Sequence, residues 1–230
     1  MSRRIAASFQ LFSRSFSTSQ RVTMPITELV FPAFKKDSQS VAELKQNERQ
    51  ILQSFSGAAD LIGVFRGPLI GENGATVDPS SLRSVLVLEW ANAAAFHAFY
   101  PNSDQYQAFV KKVKPFVTAP ATPQLYEAGG QSTACTSSNI TQMIKVKSNQ
   151  TTEEAWKRLE GTIEELLTDK PHFYHANGIE NDEGVFLGLI GWKSLQEYEK
   201  VGKNSSFLKR VKELNNDEEV QNIISQLTLE

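Results

Sequence analysis

The sequence predicts an α+β fold built from two βαββαβ modules of similar size. Two apolar runs, residues 85–90 and 186–192, end in tryptophan, and each is followed six residues later by an aromatic residue, Phe96 or Tyr198. The 230-residue chain is long enough for two modules of about 100 residues, each with its own core. The repeated pattern therefore predicts a tandem duplication.

The first predicted module covers residues 24–128. Alternating apolar residues indicate its strands, an apolar stripe at helical spacing indicates each helix, and Asn73-Gly74 marks the hairpin loop. Ser38 or Ser40 is expected to cap the first helix, and Asn92 the second. The predicted elements are strand 26–35, helix 38–57, strand 60–70, strand 82–90, helix 92–115 with an interruption at 101–102, and strand 122–128.

The second predicted module covers residues 139–230 and repeats this order. Its predicted elements are strand 139–147, helix 151–167, strand 172–180, strand 185–192, helix 195–214 and strand 220–229. Between the modules, residues 129–138 show no periodicity, which predicts a flexible linker with Cys135 exposed to solvent.

The order strand, helix, strand, strand, helix, strand is that of the ferredoxin-like unit, an antiparallel sheet with helices on one face. The other face of such a sheet is apolar and must be covered. Two ferredoxin-like modules packed sheet to sheet within one chain would cover both faces and close a barrel with helices outside. We therefore expect a monomer that contains an internal pseudo-dimer.

Composition gives no sign of a nucleic-acid or membrane partner. The formal net charge is −2, so no strong basic field is present to attract nucleic acid. No run approaches the roughly 18 apolar residues of a membrane-spanning helix. The single cysteine, Cys135, has no partner for an internal disulfide.

Residues 1–23 have the composition of a mitochondrial transit peptide. They are rich in serine, contain no acidic residue, and form one apolar stripe when placed on a helix. The arginines of this segment are Arg3, Arg4, Arg14 and Arg21. The prediction is recognition by the mitochondrial import machinery and a mature protein in the matrix. The alternative is a disordered basic tail on a cytosolic protein.

The two tryptophan positions, the aromatic residue six positions later and the helix ends at 103–109 and 204–211 resemble the dimeric alpha/beta barrel superfamily. Within it, the chain is most similar to antibiotic biosynthesis monooxygenase (ABM) domains, in tandem over residues 26–230. The resemblance implies a ligand between sheet and helices, lined by Trp90 and Trp192. Tyr100, Tyr106 and Tyr198 offer hydroxyl groups near the second helices. The alternative is that these aromatic residues only fill the core.

The densest polar cluster is His172, Tyr174 and His175, on the predicted strand 172–180. His172 and Tyr174 share one face of the strand and His175 lies on the other, so the two histidines cannot hold one metal ion. One histidine with the tyrosine provides a general base and a hydrogen-bond donor for a phenolic substrate. Any reactive site is therefore expected in the second module, and these three residues are the catalytic candidates.

These observations predict a mitochondrial protein that binds a small apolar or aromatic molecule, and the resemblance implies a cofactor-independent monooxygenase. The alternative is a non-catalytic ligand carrier or interaction module of the same fold. A pocket in the second module lined by Trp192 and one of His172, Tyr174 or His175 would favour the enzyme, whereas side chains that fill this space completely would favour the carrier. Haem binding is disfavoured because the second helices lack the ligand histidine of haem-degrading relatives; the residues there are Gln107, Lys111, Lys112, Lys209, Arg210 and Lys212.

Overall fold

The computed structural model describes residues 24–215 and 220–230, so the transit peptide predicted for residues 1–23 lies outside the described residues. The strands are β1 Ile26–Val30, β2 Leu61–Glu72, β3 Ala75–Thr76, β4 Ser84–Trp90, β5 Gln124–Glu127, β6 Ile140–Lys147, β7 His172–Gly178, β8 Val185–Trp192, β9 Gln221–Ser225 and β10 Thr228–Leu229. The helices are α1 Ser38–Leu52, α2 Ala93–Phe99, α3 Asp104–Val113, α4 Thr133–Thr136, α5 Thr152–Leu166, α6 Leu195–Gly202 and α7 Ser205–Asn215. Among these residues, no helix combines the length and apolarity that crossing a membrane requires.

The strands form one closed antiparallel barrel, which confirms the predicted fold class. Strands β2, β4, β1, β5, β7, β8, β6 and β9 lie in this order, and β9 pairs back onto β2. Each module, β1 to β5 or β6 to β10, contributes four of these strands in the same relative order. The modules meet where β5 pairs with β7 and where β2 pairs with β9, so the outermost strands of each sheet are paired with the other module.

The barrel interior is a core shared by both modules. Leu29, Val87, Met143, Leu189 and Ile223 have no more than traces of exposed surface and pack in one cluster. The outer faces of the strands bury separate clusters under the helices of each module. Alternation along each strand therefore divides its side chains between the shared interior and the layer beneath the helices.

The segment predicted to be a flexible linker is folded against the barrel, so the prediction of a solvent-exposed Cys135 is wrong. Residues 133–136 form the single turn α4, and Ser132, Cys135 and Thr136 are buried. Ser132 and Thr133 donate hydrogen bonds to the buried carboxylate of Glu89 on β4. Burial raises the pKa of the Cys135 thiol to about 12, which keeps it protonated.

Each predicted second helix is two helices in the structure. The interruption predicted at 101–102 is confirmed by the break between α2 and α3, where the Ser103 hydroxyl accepts from the backbone N–H of Tyr106. The single helix predicted over 195–214 is wrong. The Asn204 side chain accepts from the backbone N–H groups of Ser206 and Phe207, which begins a new helix there.

The two modules differ in how closely the first helix packs on the sheet. Helix α5 buries Ala155, Trp156, Leu159 and Ile163, and the Trp156 ring lies directly over Gly188 of β8. In α1, Ile51 alone is buried. The second module is therefore filled where α5 crosses the sheet, because glycine on the strand leaves room for the indole ring.

Substituting this glycine should destabilise the fold. A Cβ atom at Gly188 would overlap the Trp156 ring, so Gly188→Ala is expected to cost about 1–3 kcal/mol of unfolding free energy through overpacking. Gly161→Ala is the matched control, because Gly161 lies within α5 and its Cβ would meet nothing within 4 Å. That control should stabilise by roughly 0.5–1 kcal/mol. Urea unfolding midpoints measure both changes, and equal midpoints for the two variants would contradict this packing.

Candidate functional site

A cavity of about 890 Å³ lies in the first module, between α1, α3 and the outer face of β1, β2 and β4. Its walls are mostly apolar, and its volume is in the range of sites for drug-sized molecules. We call it the first-module cavity. Representative apolar lining residues are Val30, Val41, Leu44, Leu86, Leu88, Phe109 and Val110.

The cavity exists because α1 packs less closely on its sheet than α5 packs on the sheet of the second module. Val41 and Leu44 of α1 are only half-buried and line the cavity, whereas Trp156 and Leu159 of α5 are fully buried against the sheet. The same fold is thus filled in one module and hollow in the other. The difference lies in the first helix of each module, which carries Val41 and Leu44 in α1 and the larger Trp156 with Leu159 in α5.

Glu28 of β1 lines this cavity and is 6% exposed. Its Oε2 accepts a hydrogen bond of 2.8 Å from Nε1 of Trp90, and no other hydrogen bond or ion pair reaches this carboxylate from the described residues. Burial raises its pKa from 4.5 to about 7, and the hydrogen bond from Trp90 offsets only part of that effect. At neutral pH the carboxyl group is therefore close to half-protonated.

The second module has an amide at the equivalent position. Ile26 pairs with Trp90 and Ile140 pairs with Trp192, so Glu28 and Gln142 occupy the same place in the two modules. Gln142 Oε1 accepts from Nε1 of Trp192 at 3.1 Å. The repeat therefore preserves the indole and its acceptor, but the ionisable acceptor occurs in the module with the cavity.

Two tyrosines bring hydroxyl groups to the cavity walls. Tyr100 stacks on Phe96 with ring centroids 5.3 Å apart, and Tyr106 meets the Tyr100 ring edge-on at 5.0 Å. Burial raises the pKa of Tyr106, and the neighbouring Tyr100 and Glu28 raise it further. The Tyr106 hydroxyl is thus a neutral hydrogen-bond donor, and Tyr106 is close enough to Glu28 for the carboxylate charge to raise its pKa.

The mouth of the cavity carries charged residues and includes the end of the second module. Arg66 of β2 pairs with Glu48 of α1 and donates to Glu230 at 2.6 Å. Gln226 and Thr228, from the segment that ends in β10, line the cavity. The second module therefore contributes a wall to the site in the first module.

The predicted catalytic candidates do not meet around a cavity. His172 is exposed at the start of β7, and Tyr174 points into the barrel interior, where its hydroxyl lies 2.7 Å from the Thr27 hydroxyl. His175 lies on the opposite face and stacks on Phe186 with ring centroids 5.7 Å apart. A catalytic role for these residues stays a prediction, and the structure places the large cavity in the other module.

The predicted ligand-binding residues divide between the modules. Tyr100 lines the first-module cavity, and Trp90 is fully buried behind two residues of the lining, Glu28, to which it donates, and Phe99, whose ring centroid lies 5.3 Å away. Trp192 is fully buried in the second module, with the Tyr198 ring packed edge-on 5.9 Å away. Trp192 belongs to the cluster of buried side chains beneath the helices of the second module, and Trp156, which belongs to the same cluster, packs on Gly188, His175 and Phe186.

Sequence reasoning missed Glu28, although one signal pointed to it. The acidic residue shares a strand face with Val30 and Pro32, which is unusual for a face packed beneath helices. Its equivalence to Gln142 follows only from the strand register, because aligning the two repeats through their tryptophans places Glu28 opposite Gly130. Among residues 24–215 and 220–230, no group of three or more His, Cys, Asp or Glu residues is arranged to hold a metal ion.

Replacing Glu28 by glutamine should change how stability depends on pH. A carboxyl group whose pKa is raised by folding stabilises the fold below the unfolded value near 4.5, and this contribution is lost as the pH rises through about 7. Relative to Glu28→Gln, the wild-type chain should lose roughly 3 kcal/mol between these limits. Urea unfolding of both proteins from pH 4.5 to pH 8 measures the difference. Parallel curves would show that the carboxylate ionises as freely as in water.

Solved structures share this fold, although no protein-family model matches the sequence and no similar curated protein was found. A candidate monooxygenase from Fusobacterium nucleatum gives a TM-score of 0.60 at 9% identity, over 90% of this chain and 94% of that one. A candidate monooxygenase from Lactobacillus acidophilus gives 0.55 at 13% identity, over 90% and 95%. An anthrone oxidase-like protein gives 0.54 at 14% identity, over 89% and 91%. The likeness extends over nearly the whole of each chain, and the fold is that of the dimeric alpha/beta barrel with both halves in one polypeptide.

Proposed function

We propose that the chain binds a small, mostly apolar or aromatic molecule in the first-module cavity. The observation that carries this proposal is the contrast between the modules, one filled by Trp156 and the other enclosing about 890 Å³ with mostly apolar walls. Burial of apolar ligand surface against such walls contributes roughly 25 cal/mol per Å². The hydroxyls of Tyr100 and Tyr106 give the ligand polar partners.

We further propose that the bound molecule is oxidised without a resident cofactor, as in a monooxygenase. An electron-rich aromatic molecule that has lost a proton can transfer electrons directly to O2; one oxygen atom then enters the ring system and the other leaves as water. The protein needs to supply a water-poor pocket and a proton acceptor for this chemistry. The names of the structural neighbours, candidate monooxygenases and an anthrone oxidase-like protein, support this choice of reaction class.

The second candidate is a ligand carrier without catalysis. The burial of Trp192 in the packed cluster of the second module favours it, because the histidines and tyrosine of that module then have no ligand to act on. The two candidates share the first-module cavity as the binding site. They differ in whether the polar groups of this cavity catalyse a reaction of the bound molecule.

Filling the cavity should abolish ligand retention. Small molecules carried through purification of the full chain are identified by mass spectrometry, and binding of added anthrone is measured by fluorescence. Leu44→Trp places an indole on α1, as Trp156 does on α5, and should remove both the retained molecule and anthrone binding because Leu44 lines the cavity.

Leu208→Trp is the matched control, since Leu208 is 47% exposed on the second module. It should retain ligand as the wild-type chain does. Equal retention by Leu44→Trp and Leu208→Trp would place binding elsewhere, and a wild-type chain that neither carries a molecule nor binds anthrone would refute the proposal.

We also propose that the protein acts in the mitochondrial matrix. The arginines of residues 1–23, the lack of acidic residues there and the apolar stripe support import driven by the membrane potential. Radiolabelled full-length chain incubated with isolated mitochondria should become protease-protected and shorter by about 20 residues, since cleavage is expected near the end of the transit peptide. Changing the arginines at positions 3, 4, 14 and 21 to glutamine should prevent this. Equal protection of both proteins would argue against a transit peptide.

A further inference from the structure

We propose that Glu28 is a catalytic residue that accepts a proton from the molecule bound in the first-module cavity, and that this molecule is a neutral carbon or oxygen acid. The inference rests on the proposed function, because it assumes a ligand in this cavity. It goes further by naming the group that acts and the class of substrate on which it can act.

The charges around the cavity single out Glu28. The other charged residues of its lining are half-buried or exposed, as expected for the mouth: Lys45, Glu48, Arg66, Asp78, Arg83 and Lys114. Glu28 is the buried one, on a central strand of the barrel, and Arg66 is already paired with carboxylates at the mouth. A ligand held against the inner wall therefore meets a single carboxylate and no opposing cation.

A structural role does not require a carboxylate at this position. The indole of Trp90 needs only a hydrogen-bond acceptor, and in the second module the neutral amide of Gln142 performs that task for Trp192. A buried carboxylate without a cationic partner costs folding free energy that an amide does not. The destabilising carboxylate, Glu28, occurs in the module with the cavity, and the neutral amide, Gln142, occurs in the module where Trp156 packs on the sheet.

The carboxylate also has capacity for a further partner. Trp90 occupies one lone pair of Oε2, and the described residues supply no second donor to either oxygen. An acidic O–H or C–H group of a bound molecule fits this unused capacity. Because the pKa of Glu28 is raised to about 7, its conjugate acid is a weak one, and a carboxylate of this kind is a better base than an exposed one at neutral pH.

The proton transfer conserves charge within the cavity. The bond to hydrogen breaks, its electron pair remains on the ligand as a carbanion or phenolate, and the proton moves to a carboxylate oxygen of Glu28. One buried negative charge thus replaces another, so no additional charge must be desolvated. A neutral acid suits this exchange because an anionic ligand would add a second negative charge beside Glu28. The cavity lining from the helical layer also includes Lys45 and Glu48 of α1 and the tyrosines Tyr100 and Tyr106, and the tyrosine hydroxyls can stabilise negative charge that develops on a ligand oxygen.

Deuterium exchange into a carbon acid tests the proton transfer without requiring oxidation. Anthrone is incubated with the full chain in deuterated buffer without oxygen, and deuterium at its methylene carbon is followed by mass spectrometry. The wild-type chain should accelerate exchange over buffer, with a rate that rises with pH and levels off above about 7. Glu28→Gln should lose at least about 100-fold in exchange rate, the usual scale of a general base, while binding anthrone within about threefold of wild type.

Glu160→Gln provides the matched control. Glu160 lies on α5 in the second module, and burial raises its pKa as well, but it is remote from the cavity lining. It should exchange anthrone as fast as the wild-type chain. If Glu28→Gln fails to fold, Glu28→Asp replaces it; shortening the side chain should lower exchange by more than about 10-fold through misplacement of the base.

The outcomes separate this inference from the proposed function. If anthrone binds both proteins equally and exchanges equally in both, Glu28 is not the proton acceptor, although the cavity still binds its ligand. Loss of exchange in Glu160→Gln to the same extent as in Glu28→Gln would also overturn the assignment. If the wild-type chain neither binds anthrone nor carries a small molecule through purification, both the inference and the proposed function fail. If it carries a molecule but does not accelerate exchange into anthrone, the inference alone fails.

Discussion

The closed barrel depends on strand pairing between the two modules. A four-stranded sheet alone would expose the backbone groups of its outer strands and the apolar face that holds Leu29 and Val87. Pairing of β5 with β7 and of β2 with β9 satisfies those backbone groups and encloses that face at the same time. Because one core serves both modules, either outer layer can change without opening the barrel. The first-module cavity lies in such an outer layer.

Duplication provides an internal comparison for each position of the site. Each module buries a tryptophan at the end of a strand, Trp90 on β4 and Trp192 on β8. The acceptor for each indole lies on the neighbouring strand, β1 or β6. They differ in the residue that covers the sheet, Trp156 over Gly188 in one and the half-buried Val41 and Leu44 in the other. The shared features are those the fold requires. The carboxylate of Glu28, by contrast, is not required for the hydrogen bond to the indole, since an amide accepts it in the second module, and function is to be sought there.

The sequence predicted the order of elements in both modules and the closed barrel, because those follow from local periodicity and from the need to cover an apolar face. It did not predict that Cys135 is buried, since a single helical turn of four residues has no detectable period and is held by contacts with distant strands. The sequence also did not predict where the cavity lies. The location depends on how closely the first helix of each module packs on the sheet. In the second module, Trp156 of α5 packs on Gly188, about 30 residues later in the chain, and the first module has no such pair. Alternation places Glu28 on the same strand face as Val30, but the structure was needed to show that this face lines a cavity.

The second module is part of the candidate site, although the cavity lies in the first module. Its last segment runs along β2, where Thr228 and Leu229 pair with Arg66 and Phe65 and the Gln226 carbonyl lies where a Cβ of residue 67 would be, so only glycine fits there. This close approach brings Gln226 and Thr228 into the cavity wall, and Glu230 completes the ion pairs of Arg66 at the mouth. Tight packing of the second module holds that segment in place, since β9 and β10 are separated by only two residues and β9 is anchored between β2 and β6. The tightly packed second module therefore closes one side of the cavity in the first module, which gives a physical reason for the duplicated modules to differ.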